Sequence, residues 1–350
     1  MDFSGDFFIK RAIQLNRTDE FIDDLQLYVT KLQKNNLPVI LSPKHWALNM
    51  GMEYEDLNSI IENRLLYYDL YKIRKKSGGF RHIQSPKPNL FKIQYWLKTF
   101  VLDQISFPDY LTSYQKNKSI IDNARFHVGK PMVIKFDLSN FFEHITQDKV
   151  LGLFRILGYN TAVSIDMAKA CCVPIVPQDR NKQSVLDFAC LPQGSPSSPA
   201  LSNLAGFKLD IRLATYASRN KFTYSRYADD LTFSGDVANK IKKSVVSSII
   251  CEEGFKLNPK KIHYIQQTSR QVVTGITVNE KLSLSKKYRK DIHTQLYYAV
   301  RFGPYNPIDK NQIRRANYRE WLLGNILYIS QLHPGEAKIM KEKFELINWL

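Results

Sequence analysis

Two adjacent aspartates, Asp229 and Asp230, stand between two short runs in which apolar and small polar residues alternate. Before them Phe222, Tyr224 and Arg226 alternate with Thr223 and Ser225; after them Leu231 and Phe233 alternate with Thr232 and Ser234. A period of two marks an extended strand, because successive side chains point to opposite faces. Tyr227-Ala228-Asp229-Asp230 is therefore expected at the tip of a β-hairpin. Neighbouring carboxylates at a turn repel and contribute nothing to folding. A divalent cation makes the arrangement favourable, since Mg²⁺ takes carboxylate oxygens together with substrate phosphates. A polar turn is the ordinary use of such a pair; the strand context and the residues upstream set this one apart.

The chain has 350 residues, more than one compact core holds, so two or three subdomains are expected. A formal charge of +17 favours a polyanionic partner, either nucleic acid or an anionic membrane surface. No apolar run approaches the roughly 18 residues of a spanning helix, and no amphipathic anchor supports the membrane reading. The start, Met1-Asp2-Phe3-Ser4-Gly5-Asp6, lacks the basic and apolar regions of a signal peptide. Cys171, Cys172, Cys190 and Cys251 form no C-x-x-C pair. They read as reduced, mostly buried thiols of a cytoplasmic protein without a zinc site.

Residues 7–70 carry helical periodicity, with Ile9, Ile13, Leu15, Phe21, Leu25, Leu27 and Val29 suggesting amphipathic helices. Residues 71–92 contain no acid but hold Lys72, Arg74, Lys75, Lys76, Arg81, Lys87 and Lys92. There Ser77-Gly78-Gly79 turns between two strand-like runs, 71–75 and 80–84. A helix over 90–105, a buried strand over 133–138 and a helix over 146–157 follow. Ser198 is expected as an N-cap with Pro199 in the first turn, opening a helix whose apolar face is Leu201, Leu204, Ala205, Leu209 and Leu213. A helix over 241–253 closes at Gly254, a strand and hairpin occupy 262–284, and the remainder reads as helical. This order gives an α+β fold, an antiparallel sheet backed by helices.

Asp137 ends the strand over 133–138 and joins Asp229 and Asp230 as a third carboxylate. Phosphoryl transfer asks little covalent help of a protein. It needs two metal ions about 4 Å apart, one for the attacking oxygen and one for the leaving oxygen. A carboxylate from one strand and a pair from a neighbouring hairpin can hold two Mg²⁺ ions.

With these residues in view, the chain resembles a reverse transcriptase of the right-hand polymerase type. Tyr227-Ala228-Asp229-Asp230 is similar to the family's Tyr-x-Asp-Asp box. Phe136-Asp137-Leu138-Ser139-Asn140-Phe141-Phe142 resembles its first palm motif, and Leu191-Pro192-Gln193-Gly194-Ser195-Pro196-Ser197-Ser198-Pro199 the loop that touches the nascent base pair. Asn123-Ala124-Arg125-Phe126-His127 and Val273-Thr274-Gly275 resemble two signatures of the retron branch. The resemblance implies an N-terminal helical extension (1–70), fingers (71–130 with part of 150–200), a palm with an antiparallel sheet (131–270) and a helical thumb with an RNA-binding region (271–350). It also implies site roles. Phe142 would be the aromatic gate that excludes a 2′-hydroxyl, with core packing as the alternative. Gln193 and Gly194 would line the nucleotide pocket. Arg81 with Lys75 or Lys76 would hold the triphosphate. Lys261, seven residues after Gly254, would protonate the leaving pyrophosphate, although Lys256 and Lys260 crowd it.

For RNA contact, Asn123 and His127 are four apart and share a helix face. They could hydrogen-bond RNA or tie a helix to the palm, and the sequence leaves both open. Residues 281–319 hold ten Lys or Arg against Asp291 and Asp309, with Tyr288, Tyr297, Tyr298, Tyr305 and Tyr318 interleaved. Basic residues among aromatics suit RNA, whose phosphates are held by charge and whose loop bases stack on rings. Lys286, Lys287, Arg289, Arg314, Arg315 and Thr274 are the candidates here, while Trp321, Leu322, Leu327 and Tyr328 read as thumb core.

The resemblance implies an RNA-directed DNA polymerase using Mg²⁺ and dNTPs. It would bind its own structured noncoding RNA, prime from a 2′-hydroxyl of that RNA, and leave branched RNA joined to its cDNA. An antiphage role with a separate effector or toxin protein is implied as well. The alternatives are another prokaryotic reverse transcriptase, of abortive-infection or intron type, and a catalytically idle RNA-binding scaffold.

Overall fold

The computed structural model describes residues 5–74, 78–174, 189–236, 241–306 and 317–349. Its strands are β1 (Tyr68–Arg74), β2 (Phe80–Pro86), β3 (Met132–Asp137), β4 (Val173–Pro174), β5 (Ala189–Cys190), β6 (Thr223–Tyr227), β7 (Asp230–Gly235), β8 (His263–Gln266), β9 (Val272–Val273) and β10 (Ile276–Thr277). The central sheet runs β6-β7-β3-β8, antiparallel throughout. The hairpin expected around the aspartates is β6–β7, and it lies inside the sheet. The architecture is α+β, as its alternation and helical periods require.

The sheet is covered on both sides. One face, Ile134, Phe136, Leu231, Phe233 and Tyr224, enters the main core, where Phe233 packs edge-on to Phe136 at 5.7 Å. The other carries Ser225, Thr232 and Ser234, which are buried as well. That face lies under the helix Ile120–Arg125, whose Ile121 and Ala124 join Val133 in a second cluster. This second cluster continues through Val273, Ile276 and the helices Lys286–Phe302, Tyr318–Ser330 and Pro334–Glu345.

Local signals explain most helix ends. Thr146 caps the helix Gln147–Leu157 through the Lys149 N–H, and Gly158 at φ 120° ends it. Pro88 opens the helix Pro88–Phe100, which stops before the expected residue 105, with a 3₁₀ turn Leu102–Gln104 following. Ser198 is not an N-cap: it is the first residue of the helix Ser198–Ala205. The long helix expected from there is two helices, Ser198–Ala205 and Phe207–Arg219, meeting at Gly206. The N-terminal helices Asp6–Gln14 and Asp19–Lys34 bury Val29 and Leu32, but Ile13, Leu15, Phe21 and Leu27 of the expected packing face are exposed. In the thumb Leu327 is exposed, and Ile326 takes the buried place. Cys171, Cys172 and Cys190 are buried free thiols and Cys251 is exposed. Among the described residues no helix is long and apolar enough to cross a membrane.

Candidate active site

Strand register brings the three carboxylates together. Asp137, last in β3, lies directly opposite Asp230, first in β7. The Leu138 N–H donates to the Asp229 carbonyl at 3.0 Å, which locks the hairpin tip to the end of β3. Asp137 is buried, with Oδ1 accepting from Lys261 Nζ at 2.7 Å and Oδ2 from Asn258 Nδ2 at 3.0 Å. Burial, then the charges of Asp230 and Asp137, push the Asp229 carboxyl above the usual carboxylate range. Burial and Asp137 raise Asp230 in the same direction against the pull of Lys135 and Lys261. The hydrogen bond to Asp137 holds the Lys261 ammonium above its ordinary value. Of the crowded lysines it is Lys261 that reaches the carboxylates.

The donor chemistry suits a divalent cation: oxygen ligands only, with an excess of negative charge that burial leaves costly. Among the described residues no group of three or more His, Cys, Asp or Glu side chains is arranged to hold a metal ion by itself. A cation on Asp137 would compete with Lys261 for Oδ1.

These residues open onto a cleft of about 960 Å³ lined by Arg81, Phe142, Gln193, Gly194, Asp137, Asp229 and Lys261, among others. The structure thus gathers the expected nucleotide residues around the carboxylates. Lys75 lies outside the described residues. Phe142 is half-buried, edge-on to the buried Phe141 at 5.8 Å, so one of its faces meets the core while it lines the cleft. The Gln193–Gly194 loop is bonded to the fingers hairpin: the Gln84 N–H donates to the Gln193 carbonyl at 2.8 Å, and the Gln193 N–H to Gln84 Oε1 at 3.2 Å.

Three cleft or near-cleft residues escape the sequence reading. Asn258 carries a local signal, since it precedes Pro259 and caps a short 3₁₀ turn. Gln84 carries none, because its partner is 109 residues away. Tyr114 sits at φ +58°, lines the cleft, and has its phenol raised by burial and then by Asp229.

The expected RNA contacts divide. Asn123 and His127 are buried, which corrects their reading as RNA ligands. His127 bridges two strands, Nδ1 to Ser234 Oγ and Nε2 to Ser225 Oγ, both at 2.7 Å. Asn123 Oδ1 accepts from Ser225 Oγ at 2.8 Å and from Thr112 Oγ1 at 3.0 Å. With the Ser225 hydroxyl donating to Asn123, His127 Nε2–H donates to Ser225, and Nδ1 accepts from Ser234. The ring is neutral, its pKa lowered to about 3 by burial and then by Lys130 and Lys135. The pair ties a helix to the palm. Thr274 Oγ1 likewise donates to the Ile120 carbonyl at 2.9 Å. Lys286 and Lys287 are exposed, whereas Arg289 is partly buried and ion-paired with Glu336 of a neighbouring helix. Tyr318 is buried and Tyr288 donates to Asn325 at 2.6 Å, so both serve packing; Tyr297 and Tyr305 are exposed. Arg314 and Arg315 lie outside the described residues.

A family model described as reverse transcriptase (RNA-dependent DNA polymerase) matches residues 49–278. The chain is 32% identical over 273 residues to the retron Ec86 reverse transcriptase of Escherichia coli, covering 77% of this chain and 81% of that one. It is 31% identical to the retron Mx65 reverse transcriptase of Myxococcus xanthus, over 88% of this chain and 72% of the other. The retron Ec83 reverse transcriptase of Escherichia coli is 32% identical, over 83% of this chain and 91% of its own.

Proposed function

The chain belongs to the reverse transcriptase family and, within it, to the retron enzymes; from that premise we propose that this RNA-directed DNA polymerase copies a structured noncoding RNA of its own. Synthesis would begin at a 2′-hydroxyl of that RNA and leave a branched RNA–DNA product. The observation that carries the chemistry is the register of β3 against β7, which sets Asp137 opposite Asp230 with Asp229 alongside, at the mouth of a cleft holding the nucleotide residues.

In this reading Asp137, Asp229 and Asp230 hold the family's divalent ions, taken here as two Mg²⁺. When bound, these ions would activate the attacking hydroxyl and offset charge on the leaving pyrophosphate. Arg81 offers a cation to the triphosphate from β2. Phe142 closes the space beside the sugar, and the Gln193–Gly194 loop orients the base. Lys261 is protonated where it stands, because Asp137 favours its charged form. Once the carboxylate charge is met by another cation that cause is removed, and Lys261 becomes a better proton donor to the leaving group. Exposed Lys286, Lys287, Tyr297 and Tyr305 are among the described thumb groups available to RNA. A cytoplasmic site of action, a defence role and a separate effector protein belong to this proposal, on the strength of the likeness to retron enzymes.

The test supplies purified protein with its RNA, Mg²⁺ and labelled dNTPs, without an added primer. Wild type should yield label covalently attached to RNA on a denaturing gel, and Asp229→Ala or Asp230→Ala should yield none while still binding RNA. DNA made only when a separate primer is added would remove the 2′-hydroxyl priming; clear synthesis by both variants would remove the site assignment.

A further inference from the structure

The hairpin tip is built around one unfavourable residue. Ala228 has φ +56°, in the left-handed region that L side chains avoid. It immediately precedes Asp229, so whatever holds Ala228 sets where the Asp229 carboxylate points. Both polar groups of Ala228 are gripped. Its N–H donates to Ser113 Oγ at 2.9 Å, and its carbonyl accepts from Arg226 NH1 at 3.1 Å. Ser113 and Arg226 are themselves fully buried.

The Arg226 guanidinium spends all five of its N–H groups. Nε and NH2 take the two oxygens of Asp210, each at 2.7 Å. The second NH2 hydrogen reaches the Asn203 carbonyl at 3.3 Å, and NH1 reaches Asn203 Oδ1 at 3.5 Å as well as the Ala228 carbonyl. Asn203 Oδ1 also accepts from Ser113 Oγ at 3.3 Å, so the two grips on Ala228 share a partner. Room for the guanidinium comes from Gly206, where an added Cβ would lie 2.8 Å from NH2.

We infer that Arg226, oriented by Asp210 and Asn203, and Ser113 are positioning residues that clamp the Ala228 peptide and fix the direction of Asp229 for the reaction. The inference rests on Asp229 being a reaction carboxylate, as proposed above. A fully buried ion pair gains little over a well-packed apolar pair, so general stability does not account for it. What an apolar pair lacks is a donor aimed at the Ala228 carbonyl.

Two variants test the clamp, with Asp229→Ala as the control. Ser113→Ala removes one grip without leaving a large cavity. Arg226→Met with Asp210→Leu replaces the buried pair by apolar side chains. The readouts are kcat and KM for dTTP on a poly(rA)–oligo(dT) substrate, the melting temperature, and Mn²⁺ binding followed by electron paramagnetic resonance. The clamp requires a fall in kcat of up to about 10²-fold. KM for the nucleotide should stay near wild type, the protein should stay folded at the assay temperature though melting a few degrees lower, and Mn²⁺ should bind more weakly. Full kcat in a folded variant, with Asp229→Ala inactive, overturns the clamp and leaves the function standing. A loss of kcat that only follows loss of folded protein also overturns it. An active Asp229→Ala removes both readings. Should the double variant fail to fold, Ser113→Ala decides alone.

Discussion

Gly194 is the position where the smallest added group should do the most damage. Its φ of +126° is one that L side chains rarely adopt, and forcing such a residue there costs about 1–3 kcal/mol. An alanine Cβ would stand 2.9 Å from the Gln84 carbonyl oxygen and 3.1 Å from Ile83 Cγ2. The first of these is backbone and cannot rotate away. Nor can β2 retreat freely, because its Gln84 N–H is bonded to the Gln193 carbonyl at 2.8 Å, and losing that bond costs about 1 kcal/mol more. Gly194→Ala is therefore expected to lose roughly 2–4 kcal/mol of stability, the sum of these two terms, seen as a fall of several degrees in melting temperature. The larger effect is on chemistry. Shifting the Gln193 loop by a sizeable fraction of an ångström should lower kcat/KM for dTTP by up to about 10²-fold, or roughly 2.7 kcal/mol. The assay is steady-state incorporation on poly(rA)–oligo(dT) beside a melting curve. If kcat/KM and melting temperature both match wild type, the loop is not held against the fingers hairpin and the reasoning fails.

Phe142→Val should raise the ratio of kcat/KM for ribonucleotide to deoxynucleotide by about tenfold or more; an unchanged ratio with activity retained would return Phe142 to core packing. The buried neutral His127 has its pKa lowered to about 3, so acidification protonates it first in the unfolded chain. The fold should then lose up to roughly 1.4 kcal/mol per pH unit below about pH 6.5. Urea titrations of wild type and His127→Asn should differ in that slope, and parallel pH profiles would refute the assignment. Asp229 is held above the usual range by burial and by its carboxylate neighbours, so its ionised form opposes folding and stability is lost as pH rises through its folded pKa. Without divalent ions, Asp229→Asn should melt higher than wild type at neutral pH, the gap closing toward about pH 4. A variant that melts lower at every pH would contradict this.

What could be read in the chain was what chemistry demands locally. Asp137, Asp229 and Asp230 stood out as a set, because adjacent carboxylates at one turn repel, and alternation placed them at strand ends before any fold was known. Gly254 and Thr146 were legible as helix punctuation for equally local reasons. The basic run over 281–319 was legible as charge and misleading as a surface. Arg289 pairs with Glu336, and Tyr288 and Tyr318 pack, because each described thumb helix must bury one face whatever its composition. The N-terminal helices erred the other way, since periodicity announces an apolar stripe without showing that anything covers it.

The residues that stayed hidden share one physical property. Ser113, Asn203, Asp210 and Arg226 are buried polar groups that satisfy one another across separations of up to 90 residues. On the alternating strand Arg226 falls in phase with Phe222 and Tyr224, on the apolar face, where an unpaired guanidinium would be prohibitive. Its burial becomes permissible only when Asp210 arrives from a helix and Gly206 leaves the gap that admits it. Asn123 and His127 follow the same rule on the opposite face, where Ser225 and Ser234 are sequence-level surface residues until an imidazole spans them. A binary pattern of apolar and polar residues cannot encode such pairs. The three carboxylates were thus visible in the sequence, and the buried polar framework that meets them at the hairpin turn was not.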